Sequence, residues 1–291
     1  MDIILFSSLA RWSGIKMMRT CSVPLYPHSK TVYQIDSVTI DVVDRGSVFT
    51  FILVHGHCSN KHAIFFDAIF ENSPHNVVRF DSPGQGDAMG VYSLSYMDEV
   101  EVLSSVLDHL RECIQGWSLN CTALVGHSRG SNVSLLYVQR LILRGPKLSE
   151  LPYVVVVSGR FDLSGTLTSQ LTPEEVLQLE NGNEFTKTFP GCRCPLTITP
   201  AFISERKRLQ MGDACQALSQ ADKLVVIHGT NDRAVPPGES SLMTQFYSED
   251  EKASRLRLVD GATHNWKYKL EEGYSAFCEL VEKLLSAHRK D

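Results

Sequence analysis

The chain has 291 residues, 43% of them hydrophobic and 21% charged, and its formal net charge is −5. This length suits one large domain or one domain with an insertion, and this composition is ordinary for a soluble globular protein. The slight acidity and the lack of a basic patch argue against a nucleic-acid partner. No stretch is apolar for long enough to cross a bilayer, so no integral membrane segment is predicted.

The first 30 residues show no periodic pattern, and we predict a flexible leader at 1–30 before a domain at 31–291. The apolar run at 3–6 is too short for a signal peptide, and Asp2 stands where a basic residue would be expected. A cytoplasmic location is therefore favoured, with organelle targeting by the leader as the alternative. Met17 or Met18 is an alternative start of the protein.

Apolar, β-rich runs alternate with longer helical patterns along the rest of the chain. Strands are predicted at 38–43, 49–54, 76–80, 122–125, 153–157, 224–228 and 255–259. Helices, with apolar residues recurring on one face, are predicted at 98–113, 132–143 and 274–288. This alternation predicts an α/β protein with a mostly parallel central sheet and helices on both faces.

The stretch from about 163 to 222 breaks the alternation, because it contains no clear apolar strand. Thr172 is predicted to cap a short helix at 173–180, which begins with proline, and 202–218 is also predicted to be helical. We interpret the stretch as a small helical cap insertion over the carboxyl edge of the sheet, where folds of this class bind ligands.

The strongest chemical signal is the pentapeptide Gly126-His127-Ser128-Arg129-Gly130. A G-x-S-x-G pattern between a strand and a helix predicts a sharp turn that presents the serine hydroxyl at the edge of the sheet. Glycines are needed on both sides because a bulky side chain would clash in so tight a turn. Ser128 is therefore the candidate nucleophile, and the alternative is a tight turn with an incidental serine.

A serine hydroxyl is a poor nucleophile and needs a base to activate it. In this kind of site the nucleophile, the acid and the histidine follow one another along the chain. Asp232 and His264 each follow a predicted C-terminal strand, so both can reach the edge that holds Ser128. His264 is the predicted base and Asp232 the acid that orients it, with His228 and Asp260 as the alternatives.

Acyl transfer also needs two hydrogen-bond donors where the carbonyl oxygen gains charge. The backbone N–H of Arg129, directly after the nucleophile, is one predicted donor. The other is the backbone N–H of His57, in the loop after the strand at 49–54, with Cys58 as the alternative. Because these groups suffice for the chemistry, no cofactor is predicted.

The eight cysteines are scattered, and a reducing compartment is their simplest interpretation. Cys121 and Cys278 lie in apolar patterns typical of small buried thiols. Cys192 and Cys194 are a close pair, but no second pair completes a zinc site, so no metal is predicted.

The turn at 81–87 carries two glycines, Gly84 and Gly86, two residues apart. It lacks the lysine of a phosphate-binding loop, so a structural role is favoured. We predict a rigid turn that shapes one wall of the site.

The order of these motifs resembles the α/β-hydrolase superfamily: His55-Gly56, the turn at 81–87, the pentapeptide at 126–130, then Asp232 and His264. A narrower resemblance rests on V-S-G-R-F-D-L at 157–163 and on D-A-C at 213–215, before the strand at 224–228. These segments are similar to cinnamoyl-ester hydrolases and feruloyl-esterase-like proteins, within the serine aminopeptidase S33-like group. The resemblance covers about 38–288.

The resemblance implies an α/β-hydrolase fold and an esterase whose partner is a small-molecule ester with a small or medium acyl or aryl group. His57 stands where relatives often carry Phe or Tyr, and Asp87, where they often carry Ser, places a carboxylate near the wall of the site. Thioesterases, amidases and peptidases use the same triad, and a non-catalytic binding protein on this scaffold is a further alternative. The sequence does not set the oligomeric state.

Overall fold

The computed structural model describes residues 18–20, 29–35, 37–114, 116–165 and 171–288. The strands described there are β1 (Met18–Thr20), β2 (Ser29–Ile35), β3 (Val38–Asp44), β4 (Thr50–Val54), β5 (Asn76–Asp81), β6 (Thr122–His127), β7 (Tyr153–Val157), β8 (Phe185–Lys187), β9 (Leu196–Ile198), β10 (Leu224–Gly229) and β11 (Leu256–Val259). The α-helices are α1 (Phe66–Asn72), α2 (Tyr96–Cys113), α3 (Arg129–Ile142), α4 (Pro173–Glu180), α5 (Pro200–Arg208), α6 (Gly212–Gln220), α7 (Gly238–Met243), α8 (Glu249–Arg255) and α9 (Leu270–His288). None of these helices is long and apolar enough to span a bilayer.

The main sheet has the strand order β1-β2-β3-β5-β4-β6-β7-β10-β11. The first three strands pair antiparallel, and β3 is antiparallel to β5. From β5 to β11 every neighbouring pair is parallel. This arrangement confirms the predicted fold class, and it brings the carboxyl ends of β4, β6, β10 and β11 to one edge of the sheet.

Helices cover both faces of the sheet, as the alternating pattern predicts. Valines of β7 alternate between two hydrophobic cores, with Val154 and Val156 in one and Val155 and Val157 in the other. The first core also holds the buried faces of α2, α3 and α6, and the second holds those of α1 and α9. The sheet that carries the site is therefore packed from both sides.

Each strand and helix predicted outside the insertion is present, with ends shifted by a few residues. The helix predicted at 132–143 begins at Arg129, because it starts directly at the turn after β6. Two further strands at one end of the main sheet, β1 and β2, were not predicted. The strand β1 and the first residues of β2 fall within the predicted leader, 1–30, whose other residues lie outside the described part of the chain.

The insertion contains the predicted helix α4, whose Thr172 hydroxyl accepts the N–H of Glu175 at 3.3 Å. The expectation of no strand in this stretch is wrong, since β8 and β9 form an antiparallel pair. Each of these strands has three residues, which is too short for an alternating pattern to be recognised in the sequence.

The single helical stretch predicted at 202–218 is two helices. The helix α5 ends before Leu209, which has extended backbone, and Gln210 forms a β-bridge with Asp162. The next helix, α6, buries Ala214 and Leu218 in the core that also contains α3. The last part of the predicted insertion, α6, therefore belongs to the body of the fold rather than to the cap.

Candidate active site

The turn between β6 and α3 is as sharp as the pentapeptide predicts. Ser128 has a φ of 53°, in the left-handed region that residues other than glycine rarely adopt. A Cβ on Gly126 would lie 2.5 Å from the carbonyl oxygen of Gly130, and a Cβ on Gly130 would lie 2.1 Å from that of Val54. Glycine is thus required at both positions for the turn to close against the end of β4.

The substitution Gly130→Ala is expected to lower the free energy of unfolding by about 2–3 kcal/mol, because a backbone carbonyl cannot rotate away from the new methyl group. Gly238, in the first turn of α7, has nothing within 4 Å of its ideal Cβ and is the matched control. Gly238→Ala should unfold at or slightly above the wild-type temperature. Scanning calorimetry of both variants checks this, and equal melting temperatures would contradict it.

Three predicted side chains form a continuous line at the edge of the sheet. Ser128 Oγ lies 2.9 Å from His264 Nε2, and His264 Nδ1 lies 2.7 Å from Asp232 Oδ2. The other carboxylate oxygen, Oδ1, accepts the N–H groups of Ala234 and Val235, each at 2.9 Å. The carboxylate accepts the Nδ1–H of His264, so Nε2 is left free to accept the serine proton.

Asp232 is ionised in this setting. Its side chain is fully buried, and its Oδ2 also lies 3.2 Å from His228 Nε2. Burial opposes the charge, but hydrogen bonds from His228 and His264 outweigh it and hold the pKa of Asp232 well below its usual range. A buried carboxylate in this position suits the stabilisation of an imidazolium at His264.

The alternative acid, Asp260, and the alternative base, His228, have other hydrogen-bond partners than Ser128 and His264 among the described residues. Asp260 accepts a hydrogen bond from the Thr230 hydroxyl at 3.1 Å, and it is Asp232 that faces His264. The ring of His228 lies between the Ser240 hydroxyl, at 2.5 Å, and a backbone carbonyl, at 2.9 Å. The structure therefore brings the side chains of Ser128, His264 and Asp232 together.

His127, inside the pentapeptide, supports the histidine rather than the serine. Its Nε2–H donates to the backbone carbonyl of His264 at 2.9 Å, and the two ring centroids are 5.2 Å apart. Burial, with a smaller effect of His264, lowers the pKa of His127 to about 3. A neutral His127 thus ties the loop that carries His264 to the loop that carries Ser128.

The two predicted oxyanion donors belong to residues that border the same cavity as Ser128 and His264. A Cβ on Gly56 would lie 3.1 Å from Ser128 Cβ, so the loop after β4 lies directly against Ser128. His55 holds this loop, because its Nε2 accepts the N–H of Ser82 at 3.0 Å and its Nδ1 donates to the carbonyl of Gly56 at 2.9 Å.

The turn at 81–87 supports that loop from behind and does not border the cavity, contrary to the prediction. The buried Asp81 carboxylate accepts the N–H of Lys61 at 2.7 Å and that of Asp87 at 3.0 Å. A Cβ on Gly86 would meet this carboxylate at 2.2 Å, which explains the glycine. The Asp87 carboxylate pairs with Lys61 at 3.4 Å, so the predicted carboxylate at the wall of the site is wrong.

Cys58, next to the predicted donor His57, forms a disulfide with Cys192, which is 134 residues further along the chain. No pairing of these two cysteines is predicted from the sequence, and a reducing compartment does not account for the bridge. Cys121 and Cys278 are free thiols as predicted, but they are half-buried rather than buried.

The imidazole of His57 and the two sulfurs of the disulfide lie within 4.8 Å of one another. Sulfurs that are bonded to each other have no thiolate to offer a metal ion. The predicted catalytic groups likewise include no set of metal ligands.

The cavity that opens above Ser128 combines apolar and basic side chains. Its apolar wall is formed by Leu94, Tyr96, Leu163, Phe189, Ile198 and Phe202. Arg129, Arg160 and Arg206 also border it, and no binding role is predicted for these side chains from the sequence. Arg206 lies at the end of α5 beside two other basic residues, so its sequence context suggests only a solvated helix end.

The region that contains all of these loops matches a known protein family. Residues 51–268 match a family model described as the alpha/beta hydrolase family. The chain belongs to the alpha/beta hydrolase family. Membership supports a hydrolytic activity, and it agrees with the resemblance drawn from the motifs. No curated protein sequence matches the chain.

Solved alpha/beta hydrolase structures share the fold at low sequence identity. Est1E from Butyrivibrio proteoclasticus, with bound ferulic acid, has a TM-score of 0.66 and 15% identity over 92% of this chain and 100% of its own. A monoacylglycerol lipase of Paleococcus ferrophilus has a TM-score of 0.58 and 17% identity over 81% of this chain and 94% of its own. Mouse alpha/beta hydrolase domain-containing protein 10 has a TM-score of 0.56 and 17% identity over 94% of this chain and 100% of its own.

Proposed function

We propose that the protein is a serine hydrolase that cleaves carboxylic esters with small or medium acyl or aryl groups through an acyl-enzyme intermediate. The observation that carries the proposal is the line from Ser128 Oγ through the His264 ring to Asp232, with distances of 2.9 and 2.7 Å. This geometry suits a nucleophile, a base and the group that orients the base.

In the proposed first half-reaction, Ser128 Oγ attacks the ester carbonyl carbon while His264 Nε2 takes the hydroxyl proton. The carbonyl oxygen becomes an oxyanion, and the backbone N–H groups of His57 and Arg129 stabilise its charge. As the intermediate collapses, the bond to the alkoxide breaks and His264 returns its proton to the leaving alcohol. The acyl group stays on Ser128.

In the second half-reaction a water molecule replaces the alcohol. His264 takes one proton from the water, whose oxygen attacks the acyl carbon. Collapse of the second tetrahedral intermediate releases the carboxylic acid, and the proton returns to Ser128 Oγ. The balance is one water consumed for one ester bond broken, with no cofactor.

Two observations support an acyl or aryl ester as the substrate. Eight of the residues that border the cavity are apolar or carry a phenyl or phenol ring, which favours binding of a carbon chain or ring. Est1E, which shares the fold, is seen with ferulic acid bound. The cytoplasmic location stays a prediction.

The test is labelling of the purified protein with a fluorophosphonate probe, followed by mass spectrometry and a panel of ester, thioester and amide substrates. The expected result is probe on the peptide that contains Ser128 and turnover of esters in preference to amides. A folded protein that takes up no probe and cleaves none of the panel would favour the non-catalytic alternative.

A further inference from the structure

The cavity beside Ser128 has an unbalanced charge. Three arginines border it, Arg129, Arg160 and Arg206, and no aspartate or glutamate is among the described residues that do. Arg129 is balanced, because its Nε donates to Glu99 at 3.0 Å. Within the described part of the chain, neither of the other two has a carboxylate oxygen within 4.0 Å.

Arg206 is the more unusual of the two because only 6% of its surface is exposed. Its Nη1 donates to the Tyr96 hydroxyl at 3.0 Å, and its guanidinium lies 5.9 Å from the centre of the Phe202 ring. These partners are neutral. Charged groups buried to this extent are almost always paired, because removing an unpaired charge from water is strongly unfavourable.

The acidic residues near Arg206 are engaged elsewhere. Glu205, its neighbour in the chain, accepts the Ser95 hydroxyl at 2.9 Å and the N–H of Met97 at 3.2 Å. Asp162 acts on Arg206 only at longer range, and its carboxylate accepts the N–H of Ser164 at 2.8 Å. No described carboxylate is therefore placed to neutralise Arg206.

The neighbouring cations increase the imbalance. Burial lowers the pKa of Arg206, Tyr96 opposes this effect, and the charges of Arg160 and Arg129 lower the pKa further. A guanidinium nevertheless stays charged in proteins. The cavity thus has a positive potential that an anionic ligand would relieve.

We propose that the ester substrate carries an anionic group, a carboxylate or a phosphate, which Arg206 and Arg160 bind while Ser128 attacks the ester carbonyl. The planar fork of a guanidinium suits either anion, since both offer oxygens that accept two parallel hydrogen bonds. This inference rests on the proposed function and adds the charge of the substrate to it. The apolar wall accommodates the carbon chain between the ester and the anion.

Arg206 is the residue to test. Arg160 also donates to the backbone carbonyl of Ala234 at 2.6 Å, two residues from Asp232, so its removal would disturb the candidate acid as well. Arg206 has no described contact with that loop. Arg208, exposed and at the end of the same helix, does not border the cavity and is the matched control.

The experiment compares 4-nitrophenyl hemiesters of succinic, glutaric and adipic acid with the 4-nitrophenyl esters of butyric, valeric and hexanoic acid. The two esters of each pair have the same leaving group and the same number of carbons in the acyl chain, and they differ in one terminal carboxylate. After subtraction of spontaneous hydrolysis, the wild type is expected to show kcat/KM at least about 10-fold higher for the best hemiester than for its neutral partner. An analogue with a terminal phosphate shows which anion is preferred.

In Arg206→Met, the ratio of kcat/KM for the hemiester to kcat/KM for its neutral partner should fall at least about 10-fold. Arg206→Lys should keep part of this ratio, and Arg208→Met should keep all of it. A general loss of activity or folding lowers both rates and leaves the ratio unchanged, so a merely structural role would not produce this result. A ratio near one in the wild type that Arg206→Met does not alter overturns the inference and leaves the proposed function intact. A wild type that cleaves neither ester and takes up no fluorophosphonate contradicts the proposed function itself.

A measurement on the wild type alone covers the case in which the Arg206 variants do not fold. Adipate is expected to slow fluorophosphonate labelling of Ser128 by competition, and 1,6-hexanediol, which has the same carbon chain without charge, is not. Equal protection by the two compounds, or none by adipate or inorganic phosphate, overturns the inference.

Discussion

Ser128→Ala is expected to abolish fluorophosphonate labelling and to lower ester hydrolysis by at least about 10⁴-fold. Without the hydroxyl no acyl-enzyme can form, and His264 Nε2 loses the group that lies 2.9 Å away. What activity remains would come from water attack in a site that still offers the oxyanion donors. The rate is best measured with the ester that the wild type cleaves fastest.

The matched control is Ser105→Ala, since Ser105 is exposed on α2 and its hydroxyl donates only to the carbonyl of Glu101. It should label and turn over substrate like the wild type. Hydrolysis by Ser128→Ala at a rate within 10-fold of the wild type would show that another group attacks the ester. Melting curves of both variants establish that the comparison is made between folded proteins.

Asp232→Asn is expected to lower kcat by about 10⁴-fold. The N–H groups of Ala234 and Val235 both donate to Oδ1, so the asparagine keeps its carbonyl oxygen there and turns its NH₂ group toward His264. The histidine then accepts at Nδ1 and carries its proton on Nε2, which is the tautomer that cannot take a proton from Ser128. Steady-state kinetics at neutral pH measures the effect.

The variant Asp260→Asn tests whether the loss of kcat is specific to Asp232 or follows the loss of any nearby carboxylate. Asp260 is the other acid near His264 in the sequence, and its carboxylate bonds the Thr230 hydroxyl. We expect Asp260→Asn to retain wild-type kcat. If Asp260→Asn were the slower variant, the roles given to the two acids would have to be exchanged.

The fold could be predicted because its signals are local. The run of valines in β7 is buried on both faces, and each turn that presents a candidate catalytic residue follows an apolar strand. The edge strand β1 and the hairpin of β8 and β9 were not predicted, because a strand of three residues is too short to show an alternating pattern. The break between α5 and α6 at Leu209 was not predicted, because it depends on a β-bridge between Gln210 and Asp162, which lies far earlier in the chain.

The candidate site could likewise be predicted from the sequence only in part. Ser128, Asp232 and His264 could be chosen from their order and from the strands before them, since parallel strands bring their ends to one edge. The Cys58–Cys192 bridge and the unpaired Arg206 depend on which loops meet in space. Spacing along the chain carries no information about such meetings.

One consequence of the insertion concerns how this protein could change over evolution or in the laboratory. The candidate chemical groups lie on β-strand ends outside 163–222, whereas Leu163, Phe189, Ile198, Phe202 and Arg206, within that stretch, line much of the cavity. Much of the preference for one substrate is therefore encoded in a stretch of sequence that does not carry the candidate chemical groups, while Arg160 and Tyr96 border the cavity from outside it. Exchanging the part of the insertion before α6 for that of another hydrolase offers a route to new selectivity that leaves the candidate chemical groups in place, provided that the partner of Cys58 is kept.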